Sequence, residues 1–216
     1  MRKIIAATFV SLDGVMQAPG GPEEDPVGGF EFGGWTFHYF DEVAGTAMEE
    51  LFSKPFALLL GRRTYDIFAA YWPYEKDSIA DVFNPAIKYV ATHRPDSLTW
   101  ENTQSLGPDI VARLKEIKQG DGPDLLIQGS GELIQTLLAN GLIDEIRLMI
   151  FPLLLGKGKR LFGDNAVPAA FKLVKSQAAT TGVIMATYER AGEIRTGSFA
   201  QQEPSQAELE RRKNWK

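Results

Sequence analysis

Cysteine is absent from this 216-residue chain, which rules out disulfides and thiolate metal ligands. Histidine is nearly absent too. His38 and His93 are the only two, they stand far apart, and no bound metal is expected. No window stays apolar for the roughly 20 residues that a membrane span needs. The stretch from Met1 to Val10 places basic residues before an apolar run, as a signal peptide does. The run stops at Ser11-Leu12-Asp13-Gly14 without a small-residue cleavage pattern, so a buried strand accounts for it better and a cytoplasmic location is the default. Positive charge is scarce as well: 23 Lys and Arg against 28 Asp and Glu leave a net charge of -5 and a pI near 5.2. A general phosphate-backbone binder needs the opposite balance. Neither nucleic acid nor membrane is therefore an expected partner, and any anion site has to be local.

What is present is ordinary globular material, 44% apolar and 24% charged, in a chain long enough to bury roughly 70% of its surface. Short apolar runs alternate with segments of helical periodicity, the pattern of a mixed α/β sheet. Strands are predicted at Lys3 to Val10, Phe56 to Leu60, Ile87 to Ala91, Asp124 to Gln128 and Glu145 to Phe151. An antiparallel pair follows, Phe171 to Ala178 and Val183 to Tyr188, around Thr180-Thr181-Gly182. Helical spacing runs from Phe40 to Phe52, where Lys54-Pro55 stops it. It recurs through Tyr65, Phe68 and Ala69 up to Trp72-Pro73, over Pro108 to Lys118, and through Leu133, Ile134, Leu137 and Leu138 to Asn140-Gly141. The Gly/Pro-rich stretch from Gly14 to Trp35 forbids regular structure and reads as an active-site lid or a mobile insertion. One domain is expected over 1–190, with the insertion at about 14–38. A polar extension follows over 191–216, where Ser205-Gln206-Ala207-Glu208 has the capping-box spacing of a short helix.

Chemistry concentrates where strands end. Gly61-Arg62-Arg63-Thr64 joins a strand to a helix. Its glycine permits a tight turn, the helix N-terminus attracts an anion, and two arginines can bond phosphates; an ordinary capped helix with solvated arginines is the commoner meaning of such residues taken alone. Gly129-Ser130-Gly131-Glu132 lets a ligand approach the backbone closely but has Ile134 where a dinucleotide fingerprint needs its third glycine. A plain tight turn remains open. Thr92-His93-Arg94 puts a cation at another strand end, either for a second phosphate or as a solvated turn. Asp13 is placed to protonate or orient a substrate, or to shape an Asp-Gly turn. Gly156-Lys157-Gly158-Lys159-Arg160 offers cations to an anionic substrate, or is a solvated basic turn.

In their order and placement, these segments resemble the dihydrofolate-reductase-like family. Lys54-Pro55 with Gly61-Arg62-Arg63-Thr64-Tyr65, and Leu125-Leu126-Ile127-Gln128-Gly129-Ser130-Gly131-Glu132 before Asp144-Glu145-Ile146, are similar to stretches of dihydrofolate reductases. Ser11-Leu12-Asp13-Gly14 and Leu155-Gly156-Lys157-Gly158 to Leu161-Phe162 look closer to the C-terminal reductase domain of the bifunctional riboflavin-biosynthesis deaminase-reductase and its stand-alone relatives. The resemblance covers roughly Arg2 to Arg190. It implies a three-layer α/β fold: a mixed, mostly parallel sheet with an antiparallel C-terminal strand, helices on both faces, and NADPH across the strand ends. It implies Arg62, Arg63 and Thr64 at cofactor phosphates and Thr92, His93 and Arg94 near the adenosine end. Gly129, Ser130, Gly131 and Glu132 would lie near pyrophosphate and nicotinamide, and Asp13 on the substrate side. The implied activity is NADPH-dependent reduction of a small C=N or C=O substrate, as in the 5-amino-6-(5-phosphoribosylamino)uracil reductase step, by a homodimer. Two departures bear on this. Val43 stands where folate reductases carry the acid of the first helix, and the His/Cys zinc site of the deaminase half is missing. A cofactor-cleft module without turnover, or a folate-type reduction, stays as the alternative.

Overall fold

Apolar residues without alternation make β1 (Ile4–Ser11) a strand covered on both faces, and nearly all of it is buried. The computed structural model describes residues 1–163, 166–199 and 203–215. In it β1 sits inside an eight-stranded sheet. The other strands are β2 (Phe56–Gly61), β3 (Lys88–Ala91), β4 (Thr103–Ser105), β5 (Asp124–Gln128), β6 (Glu145–Phe151), β7 (Phe171–Ala178) and β8 (Ile184–Arg190), in the order β4-β3-β2-β5-β1-β6-β8-β7. Pairing is parallel from β4 to β6, with Ile4 opposite Leu125 and Ala7 opposite Gln128. The last two strands break that pattern, β8 running antiparallel to both β6 and β7.

Helices cover both faces. On one, α4 (Ile110–Gln119) and α5 (Gly131–Ala139) lay Leu114, Ile117, Ile134 and Leu137 over Ile4, Ala6, Leu125 and Ile127. On the other lie α1 (Glu42–Phe52), α2 (Arg62–Tyr71) and α3 (Ser78–Phe83). There Tyr65 and Phe83 pack on Leu58, Leu60 and Val90, and Phe52 packs on Ile5, Ala7 and Leu126. This is the three-layer α/β arrangement expected from the sequence.

Boundaries shift where capping outweighs periodicity. The first helix starts at Glu42 rather than Phe40, because the Asp41 carboxylate accepts the Ala44 amide at 2.9 Å while Phe40 stays extended. Two elements escaped the sequence reading. One is α3, a six-residue helix capped by Asp77. The other is β4, three polar residues at the sheet edge with no apolar run to announce it. The Gly/Pro-rich stretch contains only an isolated bridge, Val15 with Arg160, and one 3₁₀ turn follows it at Phe37–Tyr39. It is nonetheless packed: Val15, Ala18, Phe30 and Trp35 are buried against Phe151 and Leu155. Gln17 is its hub. Its Nε2 donates to the carbonyls of Asp25 and Val27 at 2.8 and 2.9 Å, its Oε1 accepts the Lys159 amide, and its own carbonyl accepts Trp35 Nε1. Toward the C-terminus, α6 (Gln206–Asn214) is capped by the Ser205 hydroxyl. No described helix is long and apolar enough to cross a membrane.

Candidate active site

The carboxyl ends of β1, β2, β3 and β5 open into one cleft of roughly 2010 Å³. Among the six described α-helices, four have a side-chain cap at the N-terminus: Asp41, Asp77, Asp109 and Ser205 provide them. The two without one are α2 and α5, and both begin at the cleft. Their first-turn amides are left for an external acceptor. The two turns are tied together. Ser130, held left-handed at φ 66, accepts the Gly61 amide at 2.8 Å and donates to Thr64 Oγ1 at 2.7 Å. A Cβ on Gly61 would lie 3.1 Å from that hydroxyl, and one on Gly131 would lie 3.1 Å from Met16 Sδ. Gly129 has φ 94. The backbone here is held close and bare.

Of the arginines, Arg62 is committed. Its guanidinium grips Asp66 at 2.8 Å and donates to Ser97 Oγ at 2.6 Å and to the Arg94 carbonyl at 3.1 Å, fastening the end of β2 to that of β3. Arg63 is exposed, lines the cleft and has no described partner. Thr92, His93 and Arg94 line it as well. The Thr92 hydroxyl accepts the Arg94 amide, and Arg94 reaches Asp66 only at 3.9 Å. Glu132 opens α5 on the same wall.

The Asp13 carboxylate does not line the cleft. It accepts the Ser11 hydroxyl at 2.6 Å, the Leu155 amide at 3.1 Å and the Gly156 amide at 2.8 Å, with Arg160 at 3.8 Å. The Ser11 bond foremost, and the two amides, hold its pKa below the usual 3.8. Asp13 thereby staples the basic turn to the end of β1. Gly156 and Lys157 lie outside the cleft wall, whereas Lys159 and Arg160 are part of it. Lys159 forms an ion pair with the nearly buried Asp25 carboxylate.

Beyond the strand ends the cleft continues between α1 and α2. Phe9, Phe40, Met48, Phe52, Phe68 and Phe83 make apolar walls there. Val43 faces the loop core instead. The α1 residues on the cleft are Gly45, Met48, Glu49 and Phe52, at spacing 3, 4 and 7. Glu49 was missed in the sequence because the apolar stripe drew attention to the other side. The signal was Gly45, a glycine in a helix interior that costs about 1 kcal/mol against alanine.

Residues 2–185 match the family described as the RibD C-terminal domain. The chain belongs to that family. The Bacillus subtilis (strain 168) protein YyaP is 27% identical over 203 residues, covering 88% of this chain and 96% of YyaP. In fold, the chain is similar to a pyrimidine reductase-like protein from Corynebacterium diphtheriae. There the TM-score is 0.56 at 13% identity, over 89% of this chain and 93% of that one. It is also similar to the diaminohydroxyphosphoribosylaminopyrimidine deaminase/5-amino-6-(5-phosphoribosylamino)uracil reductase of Thermotoga maritima. That pair gives a TM-score of 0.58 at 14% identity, over 88% of this chain and 57% of that one. The RibD C-terminal domain match takes in every strand-end turn described above, and the fold is the dihydrofolate-reductase-like one.

Proposed function

We propose that this protein is an NADPH-dependent reductase of a small substrate with a polarised C=N or C=O bond. The observation that carries the reading is the pair of uncapped helix N-termini joined through Ser130, with Arg63, which has no partner among the described residues, beside them. Two adjacent sets of free amides fit a diphosphate, and a free guanidinium fits a further phosphate. When bound, the nicotinamide cofactor supplies the hydride. The chain's own residues bind and orient. Gly61, Thr64, Gly129, Ser130, Gly131 and Glu132 form the cradle, Arg62 fixes its second wall, and Arg63, Thr92, His93 and Arg94 meet the far phosphate end. Asp13 works through the loop it staples, setting Gly156, Lys157, Lys159 and Arg160 as the substrate-side rim. The Corynebacterium and Thermotoga proteins carry reductase names, which supports reduction as the reaction class. The riboflavin-pathway reduction is the member of that class this reading starts from. Pairing as a homodimer belongs to the same reading, with the exposed Leu173, Val174 and Ile184 of the outer strands as a surface for it.

Titrating NADPH and NADH by fluorescence tests the binding half. Tighter binding of NADPH is expected, and failure of both to bind refutes the reading. Substrate-dependent loss of NADPH absorbance tests turnover.

A further inference from the structure

Three of the five lysines and arginines on the cleft wall stand at one corner, and that corner keeps an acid of its own. Arg62 and Arg63 open α2, and Arg94 follows β3. Asp66, one turn along α2, lines the wall beside them. The other acids that reach the cleft belong to the packed loop, to α1 and to α5. Asp66 alone shares an element with the cations assigned to the cofactor.

Its carboxylate takes Arg62 through both oxygens, Nε donating to them at 2.8 and 3.0 Å. Arg62 has other anchors. It donates to Ser97 Oγ and to the Arg94 carbonyl, and its guanidinium lies 5.7 Å from the Tyr65 ring. The fold therefore does not need the charge of Asp66 to hold Arg62 in place. Arg94 is less fixed: among the described residues its guanidinium pairs with Asp66 alone, at 3.9 Å. Asp66 and Arg94 are both exposed, and exposed ion pairs add little to stability. The charge of Asp66 is felt instead by whatever anion enters the corner, because it lowers the positive potential there.

We propose that Asp66 sets the cofactor preference: it is a resident counterion shared by Arg62 and Arg94, and the 2′-phosphate of NADPH has to compete with it for them. This rests on the cofactor reading above and goes beyond it, because it assigns the degree of preference to an acid and not to the arginines alone. The pair with Arg94 is the long one, so Arg94 is the cation that turns to the phosphate, while Arg62 keeps its other bonds. NADH brings a hydroxyl to the same corner and has no such competition to win. Asp66 thus acts through the arginines as a specificity-determining residue, and it holds the preference for NADPH below what three arginines would give.

Asp66→Asn removes the charge and leaves one acceptor oxygen for Arg62. NADPH and NADH are titrated by fluorescence into the full chain, parent and variant, at about 0.02 and 0.5 M NaCl. At low salt the variant should bind NADPH about three- to tenfold tighter than the parent does, and NADH within about twofold. The gain should fade at high salt, where the screening length shrinks to a few ångströms. Asp66→Glu keeps the charge at the same helix position and should retain the preference of the parent. Weaker NADPH binding by Asp66→Asn would mean that Asp66 serves the cofactor by bracing Arg62, and it overturns the proposal. So does an equal gain for both cofactors, or a gain that high salt leaves intact. Binding of neither cofactor by any of the proteins removes the reading on which this rests. Binding by all of them with an unchanged preference removes this inference alone.

Discussion

Arg63 and Asp13 show how little a residue's type says before its neighbours are known. Both are charged groups at strand ends. Arg63 is exposed and pairs with none of the described residues, so Arg63→Ala removes charge from the cleft without breaking a described bond in the fold. It should weaken NADPH by about 1.5–3 kcal/mol, the range for hydrogen bonds to charged groups, and NADH by much less. Parallel titrations read this directly. Asp13 is the reverse case, its carboxylate already engaged by Ser11, Leu155 and Gly156. Asp13→Asn turns one of its acceptors into a donor facing an amide. It should cost about 1–3 kcal/mol at neutral pH, seen in a chemical melt. Because the folded pKa lies below the usual 3.8, the stabilisation is complete above that value. It fades as pH falls through the lower folded value. The variant should therefore lose less stability than the parent on acidification below pH 4. A pure proton donor would give the other signature, roughly 10²–10⁴-fold lower turnover with an unchanged melt.

The elements that carry the fold were legible for simple reasons. β1, β2, β5 and β6 are apolar runs too short and too flanked by turn residues to be helices, and α5 shows its stripe plainly. The loop around Gln17 was legible only as irregular. Its packing depends on a side-chain amide reaching Asp25, Val27 and Lys159, and no local pattern announces a contact 142 residues away. Glu49 was hidden because α1 presents two faces, one to the loop core through Val43 and Ala44 and one to the cleft. The turn after β5 gives a direct test. At φ 94, Gly129 suits no branched residue, and a Cβ there would touch Thr64 at 3.5 Å. Gly129→Val stores about 1–3 kcal/mol of backbone strain and should abolish NADPH binding while circular dichroism still reports a folded sheet. On β3, Lys88 is fully buried, donates to the carbonyls of Asn84 and Glu101, and lies 4.1 Å from the Trp100 ring. Burial pulls its pKa down to about 8 from 10.5. Between those values the unfolded chain holds more protons, so stability rises with pH there. Lys88→Met should remove that rise, measured as melting points across pH 7.5 to 10 for both proteins.

At the scale of the whole molecule, a ligand that grips the ends of β2, β3 and β5 together should stabilise all of them. NADPH at 100 times its dissociation constant is expected to add about 2.7 kcal/mol to unfolding, and a thermal-shift series against NADPH concentration measures it. Arg63→Ala should move that curve along the concentration axis and leave its starting melting point in place.

The sheet order has a consequence for synthesis. Of the described strands β1 is the first to leave a ribosome, and both of its neighbours come late: Ile4 pairs with Leu125 and Ile5 with Glu145. At about 5–20 residues per second, the 121 residues separating Lys3 from its contact with Asp124 take roughly 6–24 s to emerge. For that interval the stretch Ile4 to Val10 has neither of its partner strands. A strand buried along nearly its whole length is thus the one left longest without a partner.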